Sequence, residues 1–192
     1  MAADAFLDAL AALVPLAPHE RETLRGRMRT RSLARGEAWL REGERCEGVV
    51  HVASGVLRVY FLADGEEVTA YFATEGQTVS DYESFLTRAP ARQTVEAVTE
   101  AEVATLDREA IEWAFGALAH GERLGRLIAE RLFLATHRRL AAFYLESAED
   151  RYARLLDEHP GLVQRVPQHM IAAYVGVRPP SLSRIRKRLA GG

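Results

Sequence analysis

The sequence predicts an α+β chain: an N-terminal antiparallel β-roll of jelly-roll type, one long helix, and a C-terminal all-α helix-turn-helix. Three observations carry this. Turn glycines recur at Gly36, Gly43, Gly55, Gly65 and Gly76, 7 to 12 residues apart, with short runs rich in Val, Tyr, Phe and Thr between them. From His120 to Leu145 the apolar period becomes helical and stays so. Residues 166–191 then hold two short helical patterns separated by Gly176. The predicted units are residues 1–119, 120–146 and 147–192.

Taken in order, residues 4–14 and 19–28 read as short amphipathic helices. The strands follow as GVVHVA, VLRVYFL, EVTAYFA, TVEAV and AEVATL. Asp64-Gly65, inside Ala63-Asp64-Gly65-Glu66, is a strong hairpin signal. In VLRVYFL, Leu57, Val59 and Phe61 alternate with Arg58, Tyr60 and Leu62, the pattern of a half-buried strand. Residues 108–117 form a short helix and residues 120–145 a long one. Within the long helix Leu124, Ile128, Arg131, Ala135, Arg138 and Ala142 follow three-and-four spacing close to a heptad seam. Leu127, Leu132 and Leu134 widen its apolar surface. A helix of this kind is expected to pack on its own β-roll and on a second copy, with Leu124, Leu127, Ile128, Arg131 and Ala135 in the interface. Ser147-Ala148-Glu149-Asp150 reads as an N-cap with acids in the first turn, opening a helix that Pro160-Gly161 ends.

The C-terminal stretch is the most informative. Pro167 suits a helix start. Ile171, Ala172 and Val175 share a face, with Ala172 small where a second helix crosses. Gly176 supplies the left-handed backbone of a tight turn, and Val177 plugs the corner. Pro179 and Pro180 restart a helix. Leu182, Ile185 and Leu189 line its apolar side, while Pro180, Ser183, Arg184, Lys187 and Arg188 point the other way. Residues 160–192 hold Arg165, Arg178, Arg184, Arg186, Lys187 and Arg188 and no acid. Since the whole chain carries −2, the first 159 residues carry −8. A basic, acid-free end that coincides with a folded motif is the footprint of a surface for double-stranded DNA.

At 192 residues and 48% hydrophobic content the chain can bury a real core. Cys46 is the only cysteine, so neither a disulfide framework nor a cysteine-held cluster is expected. Asp4 and Asp8 interrupt an N-terminus that has no early positive charge, which argues against a signal peptide. No apolar run approaches the ~20 residues of a membrane span. A cytoplasmic location and no membrane partner are expected. The strands show no His-x-His and no paired metal-ligand spacing, so neither a catalytic residue nor a metal site is assigned.

The order of β-roll, long helix and helix-turn-helix resembles the Crp/Fnr family of bacterial transcription regulators. The resemblance rests most on GVLRVYFLADGEEVTAYFATEGQTVSDYESFL and VPQHMIAAYVGVRPPSLSRIRKRL. It implies a homodimer joined along the long helix, an effector pocket in each β-roll, two recognition helices reading a palindrome, and RNA polymerase as a partner. Half-sites would then lie about one helical turn, ~34 Å, apart.

The sequence departs from the family in three respects. In members that bind cyclic nucleotides a Gly-Glu pair holds the ribose and an Arg-Ser pair the phosphate. Here Ser80-Asp81-Tyr82 and Arg92-Gln93-Thr94 stand in those regions. They are the candidate effector residues, and cyclic AMP is not expected among the effectors, whose identity stays open. Next, the cysteine cluster of iron–sulfur members is missing; His51 is the one histidine in a strand, and Cys46 lies between Arg45 and Glu47. Finally, many members continue into a β-wing, which this sequence is expected to lack, and Pro179-Pro180 replaces an arginine and a glutamate that read bases. Arg184 is retained and is assigned a base contact, to guanine O6 and N7. Arg178, Ser181 and Ser183 are candidates for base or phosphate contacts, Lys187 and Arg188 for phosphates, and Gln168 and His169 for the backbone. With fewer base contacts, part of the specificity falls to DNA bending. Two other classes remain beside this reading: an enzyme built on a metal barrel, and an effector-binding module whose C-terminal helices serve protein contacts.

Overall fold

A computed structural model describes residues 1–190; Gly191, the predicted end of the helix-turn-helix stretch, and Gly192, the predicted end of the third unit, lie outside the described residues. Among the described residues the chain begins with α1 (Ala2–Ala11) and α2 (Pro18–Arg27), then β1 (Arg29–Leu33), β2 (Ala38–Leu40), β3 (Gly48–Ser54), β4 (Leu57–Ala63) and β5 (Glu66–Ala73). The roll continues through β6 (Thr78–Val79), α3 (Tyr82–Thr87), β7 (Thr94–Ala97) and β8 (Ala101–Asp107). Six helices follow: α4 (Arg108–Ala117), α5 (Gly121–Leu145), α6 (Ala148–Glu158), α7 (Leu162–Arg165), α8 (Gln168–Val175) and α9 (Pro179–Ala190).

The strands make two antiparallel sheets, ordered β1-β8-β3-β6 and β2-β7-β4-β5. Their inner faces share one core, with Val50, Val52, Leu57, Val59, Val95 and Val103 fully buried. Asp64 and Gly65 both take positive φ, 52° and 79°, and close the β4–β5 hairpin at the predicted place. Helix α1 lies on β3, where the Phe6 ring stacks on His51 with centroids 4.8 Å apart. The sharp corner between α4 and α5 needs Gly121, because a Cβ there would meet the Ala114 and Phe115 carbonyl oxygens at 2.4 Å.

The alternation read in β4 holds only in part. Leu57, Arg58, Val59 and Tyr60 are all buried, while Phe61 and Leu62 are exposed. The strand keeps regular register with β7, and both of its sides are covered in the first half; the register shift against β5 leaves Ala70 of β5 as the extra residue. Arg58 tolerates 1% exposure because its charge is met: Nε donates to Thr69 Oγ1 at 2.9 Å and Nη1 pairs with Glu67. Its guanidinium also covers the Tyr60 ring at 4.4 Å. The outer half of the hairpin projects beyond this cover.

A second core sits around α8. Tyr152, Leu155, Leu162, Val166, Ile171, Ala172, Tyr174, Val175, Leu182 and Ile185 are buried together with Val56, Phe72 and Val98 of the roll. The C-terminal helices therefore do not close their core alone, and the division at residue 147 cuts through shared packing. Three polar contacts reinforce it. Arg165 on α7 holds Glu75 in a two-pronged pair at 2.6 and 3.0 Å, and Glu75 also accepts the Gly55 N–H at 2.9 Å. Arg139 on α5 covers the Tyr174 ring at 4.2 Å and donates to the Thr69 carbonyl at 3.3 Å. Arg151 on α6 donates to the Val175 carbonyl at 2.9 Å.

The Arg165 guanidinium, through its hydrogen bonds, holds the Glu75 carboxyl at about 2, well below the usual 4.5. A carboxylate lowered in this way stabilises the folded chain above pH 4.5, and that contribution fades as pH falls toward 2. Glu75→Gln is thus expected to lower urea resistance at neutral pH, with the gap from wild type closing as the buffer is acidified through that window. A gap independent of pH would show that the ion pair is not its source.

Candidate nucleic-acid interface

Helix α8 ends where Gly176 turns left-handed, at φ 80°. The Val177 N–H then bonds the Ala172 carbonyl at 2.9 Å, and α9 departs from Arg178. Ala172 is fully buried at the crossing and Val177 packs on the same core, as the motif requires. In α9, Leu182 and Ile185 are buried against α8, and Pro180, Ser183, Arg184 and Lys187 lie exposed on the opposite side. Leu189, expected on the apolar face, is 43% exposed because it lies a turn beyond the buried pair.

The basic residues separate into two groups. Arg165 is engaged by Glu75, and Arg188 pairs with Glu149 of α6 at 2.7 Å. Arg178, Arg184, Arg186 and Lys187 are exposed and have no ion pair among the described residues. Arg184 Nη2 donates to Ser181 Oγ at 3.1 Å, which steadies the guanidinium along the helix. Gln168 and His169 are exposed in the first turn of α8. Arg186 belongs to the unpaired set although the sequence reading counted it only as charge. A three-and-four count from Leu182 puts Arg186 at the border of the apolar side, where it is exposed.

The candidate effector residues are tied together by Asp81–Arg92 and Ser80–Gln93, and most of their remaining polar atoms bond neighbouring segments. Asp81 is buried as the N-cap of α3: Oδ1 accepts the Ser84 N–H at 3.0 Å and Oδ2 the Arg92 N–H at 3.2 Å. The Arg92 donor comes from the segment where the resemblance puts phosphate binding, and the Ser84 donor from the first turn of α3. Ser80 Oγ donates to the Gly48 carbonyl at 2.8 Å and lies 3.2 Å from Cys46 Sγ. Gln93 Nε2 reaches the Ser80 carbonyl at 3.5 Å, and Thr94 Oγ1 accepts the Glu42 N–H at 3.1 Å. Tyr82 stacks on Phe85, with centroids 6.1 Å apart, and the Arg92 side chain is exposed. Beside them, burial and then the Asp81 charge push the Tyr71 phenol above its ordinary 10.0. Two clefts, of about 240 and 350 Å³, lie at the β1–β8 edge and at the α4–α5 corner, and none of these effector candidates lines either one.

Among the described residues no three His, Cys, Asp or Glu side chains converge as metal ligands, and no helix is long and apolar enough to cross a membrane. His51 is fully buried, its Nδ1 2.9 Å from Thr78 Oγ1 and its Nε2 without a partner. Burial lowers its basicity, which favours the neutral ring.

The proposed dimer residues divide. Leu124, at 2% exposure, is part of the first core, and Leu127 and Ile128 pack against that core. The expectation that Leu124 faces a partner is corrected: Leu124 is buried in the chain's own first core, and Ala142, further along the same face, is buried as well. Arg131 and Ala135, midway between, are exposed. A different stripe is open, with Leu132, Phe133 (68% exposed), Leu140 and Tyr144 (81%) at helical spacing.

Comparison with known proteins adds to this geometry. Residues 30–117 match the family model of the cyclic nucleotide-binding domain. Among solved structures, the chain is similar to FixK2 from Bradyrhizobium japonicum, with 22% identity, 85% of each chain covered and a TM-score of 0.73. It is also similar to CLP of Xanthomonas campestris, described as a c-di-GMP-responsive global regulator: 20% identity, 88% of this chain and 89% of that one, TM-score 0.64. The catabolite activator protein of Thermus thermophilus shares 25% identity over 95% of this chain and 87% of its own, with a TM-score of 0.55. No curated protein sequence matches the chain significantly.

Proposed function

We propose that this chain, which has the fold of the Crp/Fnr transcription regulators, is a DNA-binding regulator and not an enzyme. In this reading it works in the cytoplasm as a homodimer whose two α9 helices enter successive major grooves of a palindrome. The observation that carries the reading is α9 itself. Its apolar side is buried on α8, and its outward side is exposed, basic and free of acids. Arg184 reads guanine through a two-pronged contact and Ser183 supports it, while Lys187 and Arg178 hold phosphates. Ser181 acts through Arg184, which it bonds. Arg188 reaches a phosphate by exchanging Glu149, and Gln168 and His169 meet the backbone at the start of α8. RNA polymerase is the partner in transcription.

The dimer forms along the open stripe of α5, centred on Phe133 and Leu140, and not through Leu124. The roll is an effector domain whose anion site is taken by its own Asp81. Cyclic AMP would have to displace a carboxylate that already holds the Ser84 and Arg92 N–H groups, and the ordinary cost of burying an anion without its donors opposes that. The DNA-binding state therefore does not await the nucleotide.

Two outcomes test this. On a site selected from random duplexes, Arg184→Ala is expected to cost roughly 1–3 kcal/mol and relax one base position. Lys187→Ala should weaken all sequences alike and lower the salt slope by about one. The absence of salt-dependent binding to any duplex would leave an effector module without a DNA role. For the dimer, Phe133→Glu is expected to give a folded monomer in light scattering, whereas Leu124→Glu unfolds the first core. A Phe133→Glu protein that stays dimeric would remove the stripe from the interface.

A further inference from the structure

The first turn of α9 has no backbone donor left to offer. A helix start ordinarily presents free N–H groups that grip a phosphate or a base acceptor. Here Pro179 and Pro180 have no N–H at all. The Ser181 and Leu182 N–H groups both bond the Arg178 carbonyl, at 2.9 and 3.2 Å. What the tip does present is C–H surface. Both prolines are exposed, and Pro180 lies on the outward face one turn before Ser183 and Arg184. In a helix-turn-helix it is this end of the second helix that approaches the base edges.

A proline ring offers a base no hydrogen bond, so it discriminates only by shape and apolar contact. The major-groove edge has one apolar feature, the C5-methyl group of thymine. The ring is also rigid and gives up no rotamer freedom on burial. We propose that Pro180, buttressed by Pro179, is a specificity determinant that selects thymine by burying its C5-methyl, next to the base read by Arg184. This rests on the DNA-reading role of α9 proposed above. Unlike a lost contact, it makes a positive choice at that position and disfavours cytosine, whose edge carries no methyl.

The test uses the full-length protein and the duplex it selects from a random pool. Each thymine of the half-site is replaced in turn by uracil, which removes the methyl and leaves pairing intact. The wild type should lose affinity by about fourfold at one thymine per half-site, the value of one buried methyl. The same replacement should leave Pro180→Gly unchanged, with its fold checked by circular dichroism. Uracil that is neutral at every thymine of the wild type overturns the inference while selective binding stands, as does a selected half-site without thymine or a uracil effect that persists in Pro180→Gly. If no sequence is selected at all, the DNA-reading role itself fails, and the inference with it.

Discussion

Side-chain alternation along β5 is the constraint on which the rest of the molecule depends. Successive residues of a strand point to opposite sides. Ala73 thus enters the first core, inside the roll, while Phe72 enters the second, under the C-terminal helices. The Phe72 ring meets Tyr174 of α8 with centroids 5.7 Å apart. Arg139 covers the other part of Tyr174 and reaches back to the Thr69 carbonyl on the same strand. One strand therefore positions the interior of the roll, the long helix and the first helix of the helix-turn-helix together. The direction in which α9 presents Arg184 and Lys187 follows from this packing, and Glu75–Arg165 holds it at the edge.

The same economy appears inside the roll. Asp81 caps α3 and ties it to the Arg92 segment, so a carboxylate of the chain itself joins the two stretches. Cys46 and Ser80 share the Gly48 carbonyl next to it. Each group has its partner in place, and a ligand entering there would have to replace bonds already made. Buried polar groups that satisfy one another specify one arrangement of their segments. This is the physical reason that the Asp81 region of the roll keeps one arrangement.

Much of this was legible in the sequence because it depends on neighbours in the chain. Asp64-Gly65 makes the hairpin, Ser147 and Asp150 cap α6 reciprocally, and Gly176 makes the turn, all by backbone chemistry that one or two residues dictate. What escaped depends on residues far apart. Arg58 is buried only because Glu67 and Thr69 come from the next strand. The spacing counted from Leu124 begins on a residue buried in the chain's own core, since periodicity alone cannot tell an inward apolar face from an open one. The capping role of Asp81 on α3 was missed. The signal was present, in an Asp followed two residues later by Glu83 in a first turn, but the short α3 lay inside a stretch that otherwise reads as strands.

The claim that unites these features is that the chain holds its recognition helices ready without a cyclic nucleotide. The direct measurement is selection of duplexes from a random library by the purified, ligand-free protein, repeated with saturating cyclic AMP at the same salt. The account predicts one palindromic sequence, recovered with equal affinity in both conditions. A palindrome recovered only with cyclic AMP would contradict it, because the nucleotide would then have displaced Asp81 and reset the packing between β5 and α8.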